Sequence, residues 1–111
     1  MTETELAKRK CEACAPGTPS LDEAAAAELH AQVDQAWERD ATRTLRRAFE
    51  FANFRDAFGF ATRVALVAEG QGHHPDMEVG WGRVAVALTT HAAGGLTDND
   101  FIMAARIDRL G

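Results

Sequence analysis

A chain of 111 residues has room for one domain and is too short for two independent cores. Folding at this size buries roughly 60–70% of the surface that the unfolded chain exposes, so a modest core forms without metal or disulfide support. Apolar residues at 46% and charged residues at 26% exclude a disordered chain, and a net charge of −5 argues against a surface dedicated to nucleic acid.

Residues 1–19 read as a flexible N-terminal tail, and residues 20–111 as a single domain. Met1 to Lys10 is of mixed charge and lacks the apolar middle of a secretory signal. No apolar run approaches the roughly 18 residues that a membrane span requires, so a soluble, cytoplasmic protein is expected. The tail carries Cys11 and Cys14 in Cys-x-x-Cys spacing. That spacing serves thiol redox exchange or half of a zinc site. A redox pair normally opens a helix after a strand, and no strand pattern precedes Cys11. No further ligands follow at zinc-site spacing. Two reduced, exposed thiols on a mobile segment are expected, open to oxidation.

Ser20 and Glu23 form a capping-box pattern ahead of an Ala-rich stretch, which predicts a helix from Leu21 to about Gln35. Trp37 to Arg39 predicts a short strand. Arg43 to Phe51 alternates, with Leu45, Arg47, Phe49 and Phe51 on one face. Asn53 caps a second helix reaching about Glu69, with an apolar stripe of Phe54, Phe58, Ala61, Ala65 and Ala68 widened by Ala57, Phe60 and Val64. Gly70 and Gly72 end it. Met77 to Trp81 and Val84 to His91 predict two strands around a tight turn at Gly82-Arg83. Thr97 and Asp100 form a second capping box, opening a helix through Arg109. The order is α-β-β-α-β-β-α. Paired strands without crossover spacing imply an α+β fold, a four-stranded antiparallel sheet with three helices packed on one face.

His73, His74 and His91 are the main chemical signal. The hairpin brings the ends of its two strands together, with Met77 expected near Leu88 and His74 near His91. Imidazole both donates and accepts protons near neutral pH, and neighbouring imidazoles disfavour simultaneous protonation. Such a trio can divide acid and base roles. A three-histidine metal centre ranks lower, because adjacent residues on extended backbone face opposite sides. No metal ligand set is assigned. The chain has no P-loop, nucleophile elbow or dinucleotide fingerprint.

Glu69-Gly70-Gln71-Gly72-His73-His74-Pro75, Trp81-Gly82-Arg83-Val84, Thr90-His91 and Gly95-Leu96-Thr97-x-x-Asp100 together resemble the pterin-4a-carbinolamine dehydratase family, most closely its bacterial branch. Asn99 to Arg106 and the Cys-Glu-Ala-Cys segment extend the likeness from about residue 10 to the end. The resemblance implies removal of water from a 4a-hydroxytetrahydropterin to give quinonoid dihydropterin, recycling the cofactor of aromatic amino-acid hydroxylases. A hydroxylase is thus an expected functional partner, and a homodimer or homotetramer the expected assembly. No cofactor is implied, because the pterin is the substrate.

Carried over by motif position, His73, His74 and His91 are the catalytic candidates, with His74 and His91 assigned to proton transfer and His73 to the acid or to orientation. Glu69, Pro75, Asp76 and Thr90 are the candidate substrate-binding residues. Thr90 and its neighbours are expected to offer backbone groups, and Asp100 is read as a helix cap. The chain departs from animal members at Gly72, where they place an acid, and at Met77, where they carry a Trp. Trp37 and Trp81 are the remaining aromatics of that size. The same family includes members that act through protein contacts, so a non-enzymatic interaction or regulatory role is the alternative.

Overall fold

The computed structural model describes residues 3–110. Helices α1 (Glu3–Lys8), α2 (Glu23–His30), α3 (Phe54–Gln71) and α4 (Asp98–Asp108) accompany strands β1 (Glu38–Asp40), β2 (Thr44–Glu50), β3 (Asp76–Gly80) and β4 (Arg83–Leu88). A single 3-10 turn, His91–Ala93, joins β4 to α4. The strands form one antiparallel sheet in the order β1-β2-β4-β3. The predicted α+β order is present, with one further helix, α1, ahead of it.

Period-two alternation decides which face of the sheet is covered. Leu45, Val84, Val86 and Leu88 are fully buried, while Arg46, Ala48 and Glu50 face solvent. Phe49 and Phe51 close on Phe60 of α3 at 4.7 and 5.1 Å between ring centres. Helix α3 buries Ala57, Phe60, Ala61, Val64 and Ala68 on the sheet. Of the wider predicted stripe, Phe54, Phe58 and Ala65 remain exposed.

Helix α4 is the centre of the molecule. Phe101 through Ala105 and Ile107 are all buried, so this helix needs cover on nearly every side. That requirement explains α1, which packs on it. The expectation of a flexible tail is corrected here over residues 3–11. Leu6 is fully buried and Ala7 nearly so. The Arg106 guanidinium donates to the Arg9 carbonyl through Nε at 3.0 Å, and Arg9 Nη2 pairs with Asp98 at 3.0 Å. Two apolar residues in a short charged helix are a faint signal, and they become core only because α4 offers a surface.

Three other local expectations shift. Helix α2 begins later, because the Leu21 N–H is still donating to Leu96 and the cap is the Asp22 carboxylate, 2.8 Å from the Ala25 N–H. It also ends earlier, at His30, because residues 31–37 fold back and deliver Trp37 into the core, where its indole N–H donates to Asp108. The hairpin turn lies at Trp81-Gly82, so Met77 pairs with Val86 rather than Leu88. A slip of two leaves each side chain on its expected face.

Candidate active site

Three pieces of backbone meet at one end of the sheet. Helix α3 stops at Gly72, whose φ of 65° is the left-handed conformation that glycine adopts without penalty. The chain reverses there and presents His73-His74-Pro75 before entering β3. Strand β4 stops at Leu88. Thr90 and Gly95 then exchange N–H···O bonds of 3.1 and 3.3 Å, which pins the loop that carries His91. Helix α4 starts beneath both, at Thr97.

The Asp100 carboxylate joins the three pieces. It is fully buried. Its Oδ2 accepts from the Thr97 N–H at 2.9 Å and the Thr90 hydroxyl at 2.8 Å, and the Thr97 hydroxyl donates to Thr90 at 2.8 Å. Its Oδ1 lies 2.6 Å from Nε2 of His73. A carboxylate oxygen accepts, so Nε2 carries the hydrogen and Nδ1 is left to take or release a proton. Burial makes these bonds strong, and charge assistance roughly doubles each.

His74 lies 3.5 Å from Glu69 with both side chains largely in solvent, a geometry that holds the ring weakly. His91 is exposed at the start of the 3-10 turn. All three histidines nevertheless line one pocket of about 250 Å³, with Gly72, Thr90, Ala92, Asn99 and, from the N-terminal segment, Glu12, Ala13 and Cys14.

Of the sequence-derived candidates, His73, His74, His91 and Thr90 are therefore brought together. Glu69 reaches the rim only through His74. Pro75 turns the chain into β3 and is not part of the lining. Asp76 lines a trough on the opposite, uncovered face of the sheet, with Arg46, Ala48 and Ala85. The backbone N–H and C=O of Thr90 are both engaged with Gly95, so its contribution here is a buried hydroxyl. Trp81 is exposed at the hairpin tip and Trp37 is buried in the core, so neither faces the pocket. Among the described residues no three metal-ligating side chains are grouped to hold an ion.

Sequence reasoning missed two contributions. The Thr97-x-x-Asp100 pattern reads as a helix cap alone, yet one Asp100 oxygen caps α4 while the other holds His73. A cap residue three positions after Thr97 is legible, but its second bond depends on where His73 arrives. The Glu12–Cys14 wall is marked in the sequence only by the Cys-x-x-Cys spacing and the likeness of that segment, neither of which places it against the histidines. Asn99 secures it, with Oδ1 accepting from the Glu12 N–H at 3.0 Å and Nδ2 donating to the Glu12 carbonyl at 2.7 Å.

Fold and pocket together define a small α+β domain with a histidine-lined site equipped to donate and accept protons. The family model described as pterin 4 alpha carbinolamine dehydratase matches residues 19–110. The chain is 44% identical over 107 residues to a protein of Rubrobacter xylanophilus, covering 96% of this chain and 99% of that one. It is 42% identical over 111 residues to a protein of Methylococcus capsulatus, covering 99% and 96%. Both relatives carry the provisional name pterin-4-alpha-carbinolamine dehydratase. A crystal structure from Brucella melitensis, described as a transcriptional coactivator/pterin dehydratase, superimposes with a TM-score of 0.76 at 35% identity, covering 82% of this chain and 97% of that one. A pterin dehydratase-like protein described as a RuBisCO assembly factor of the alpha-carboxysome shares the fold, at a TM-score of 0.58 and 23% identity over 68% of this chain and 88% of that one. This chain belongs to the pterin-4a-carbinolamine dehydratase family.

Proposed function

We propose that the protein is a hydro-lyase that dehydrates a 4a-hydroxytetrahydropterin by imidazole acid–base catalysis. The observation that carries this reading is the convergence of His73, His74 and His91 on one pocket, with His73 anchored by the buried Asp100. Dehydration breaks the C4a–O bond as an acid protonates the departing hydroxyl. A base takes the proton from N5, and the C4a=N5 double bond forms as water leaves. The Asp100–Nε2 bond supports His73 as the base, because a proton taken at Nδ1 would create an imidazolium beside a carboxylate. That leaves His74 or His91, both open to solvent, as the acid.

The product is an oxidised dihydropterin that a separate reductase would return to the tetrahydro form. The adduct would be supplied by a pterin-dependent hydroxylase, the functional partner this reading implies. Phe54, Phe58 and Leu66 are 48%, 55% and 69% exposed along the outer side of α3, which favours self-association through that helix into a dimer or tetramer. No described helix is long and apolar enough to cross a membrane.

The test is to generate the carbinolamine in the presence of purified protein and follow its absorbance. Acceleration over buffer is expected, with a loss of about 10²–10⁴ on replacing an imidazole that transfers a proton. Buffer-level rates with the intact protein, or full activity in a combined His73→Ala, His74→Ala, His91→Ala variant, would remove the reading. In the latter case, self-association and partner capture without turnover would favour the interaction role instead.

A further inference from the structure

The Cys-x-x-Cys pair is left unused by the chemistry above, yet it does not lie in a free tail. The Cys11 N–H donates to the Gln71 side-chain carbonyl at 3.0 Å, at the end of α3. Cys11 Sγ contacts the Asn99 carbonyl at 3.6 Å, and the Asn99 side-chain amide contacts Cys14 Sγ, also at 3.6 Å. Both thiols are free and converge on one residue. Cys14 is part of the histidine pocket, while Cys11 is packed behind it against the core.

The hold that Asn99 has on Glu12, midway between the cysteines, opposes a Cys11–Cys14 bond. One amide side chain holds both the N–H and the C=O of Glu12, which requires the two groups on the same side, as in an extended residue. Residues 10–15 contain no helix or turn. An extended Glu12 lengthens the path between the cysteines, since each extended residue adds roughly 3.3–3.6 Å. A disulfide needs its α-carbons within roughly 4.4–6.8 Å. Drawing the cysteines into that range bends the chain at Glu12-Ala13 and works against the Asn99 clamp.

We propose that Cys11 and Cys14 form a thiol–disulfide switch, oxidised by a small disulfide of the glutathione class, whose closure draws the Glu12–Cys14 wall away from the histidine pocket. The Cys14 thiolate attacks the oxidant and releases one reduced thiol. The Cys11 thiolate then attacks Cys14 Sγ and releases the second. The two cysteines lose two electrons and two protons, and the oxidant's disulfide is reduced to two thiols. Burial pushes the Cys11 thiol up to about 11, so its attack on Cys14 quickens as the pH rises. The consequence for turnover rests on the dehydratase reading; the rearrangement of the wall does not.

The experiment treats the full chain with oxidised glutathione at fixed ratios to the reduced form. Peptide mass analysis identifies the bond, and hydrogen exchange is followed over residues 10–15. Expected are an intramolecular Cys11–Cys14 disulfide, faster exchange across Glu12, and a fall in carbinolamine turnover of about 10²-fold, the scale on which an ångström-sized displacement in a site costs rate. All three should reverse with dithiothreitol. In Cys11→Ser the ring cannot close, and residues 10–15 should keep the reduced exchange pattern. Absence of the intramolecular bond, a bond with unchanged exchange, or equal loosening in Cys11→Ser would each overturn the switch. Loosening as expected in a protein that never accelerates dehydration would uphold the switch and remove the catalytic reading.

Discussion

Replacing Asp100 by Asn separates the two roles of that side chain. Shape is kept, so the amide oxygen can still accept from the Thr97 N–H and the Thr90 hydroxyl. The amide NH2 then faces Nε2 of His73, at the position now 2.6 Å from a carboxylate oxygen. Two donors cannot bond, so the imidazole must shift its hydrogen to Nδ1. The nitrogen available to accept a proton becomes a donor.

The stability cost follows from three charge-assisted bonds becoming neutral ones. Bonds to charged groups contribute about 1.5–3 kcal/mol and neutral ones about 0.5–1.5, so the loss is about 1 kcal/mol per bond and about 3 in all. A domain of this size has about 5–15 kcal/mol to lose, so Asp100→Asn should remain folded at 25 °C. Its thermal midpoint should fall by about 12–24 °C. Turnover should fall much further than unfolding explains, by about 10²–10⁴, because the base has the wrong tautomer. Circular dichroism melts and stopped-flow dehydration at 25 °C read the two effects separately. A variant that melts lower yet dehydrates at the parental rate would refute the orienting role and leave Asp100 a helix cap.

Leu6→Ala should cost about 2–5 kcal/mol in urea unfolding, the range for truncating a fully buried leucine; a change near zero would return residues 3–11 to the status of a tail. Gly95→Ala places a methyl 2.6 Å from the Thr42 carbonyl oxygen and 3.2 Å from Ser20 Cβ, neither of which is the end of a flexible chain, so a loss of about 1–3 kcal/mol is expected in the same measurement. Glu23 accepts two bonds from the Arg39 guanidinium, at 2.8 and 2.9 Å, and this pairing lowers its carboxyl from the ordinary 4.5. A depressed carboxylate contributes stability at neutral pH that is lost as pH falls through its folded value, so Glu23→Gln should flatten the acid limb of a stability–pH curve. An unchanged slope below pH 4.5 would show that solvent screens the pair completely.

Much of this protein is local in origin and readable from the chain. The alternation in Thr44–Glu50, the Asn53 cap, the α3 stripe and the Thr97-Asp100 box each depend on neighbours a few residues away. Such short-range interactions are written in the order of side chains. The α+β class and the meeting of His73, His74 and His91 follow from them, because a hairpin necessarily returns one strand end to the other. What lay beyond the sequence depends on partners far apart along it. Leu6 is core only because α4 passes beneath it, and Trp37 ends α2 early only because Asp108 waits in the interior. Asp100 becomes more than a cap when His73, 27 residues earlier, arrives within 2.6 Å. Glu12 and Cys14 become pocket wall because Asn99 reaches across 87 residues to hold them. Periodicity and capping patterns carry no information about contacts at that separation, since the packing of whole elements, and not any local preference, brings those residues together.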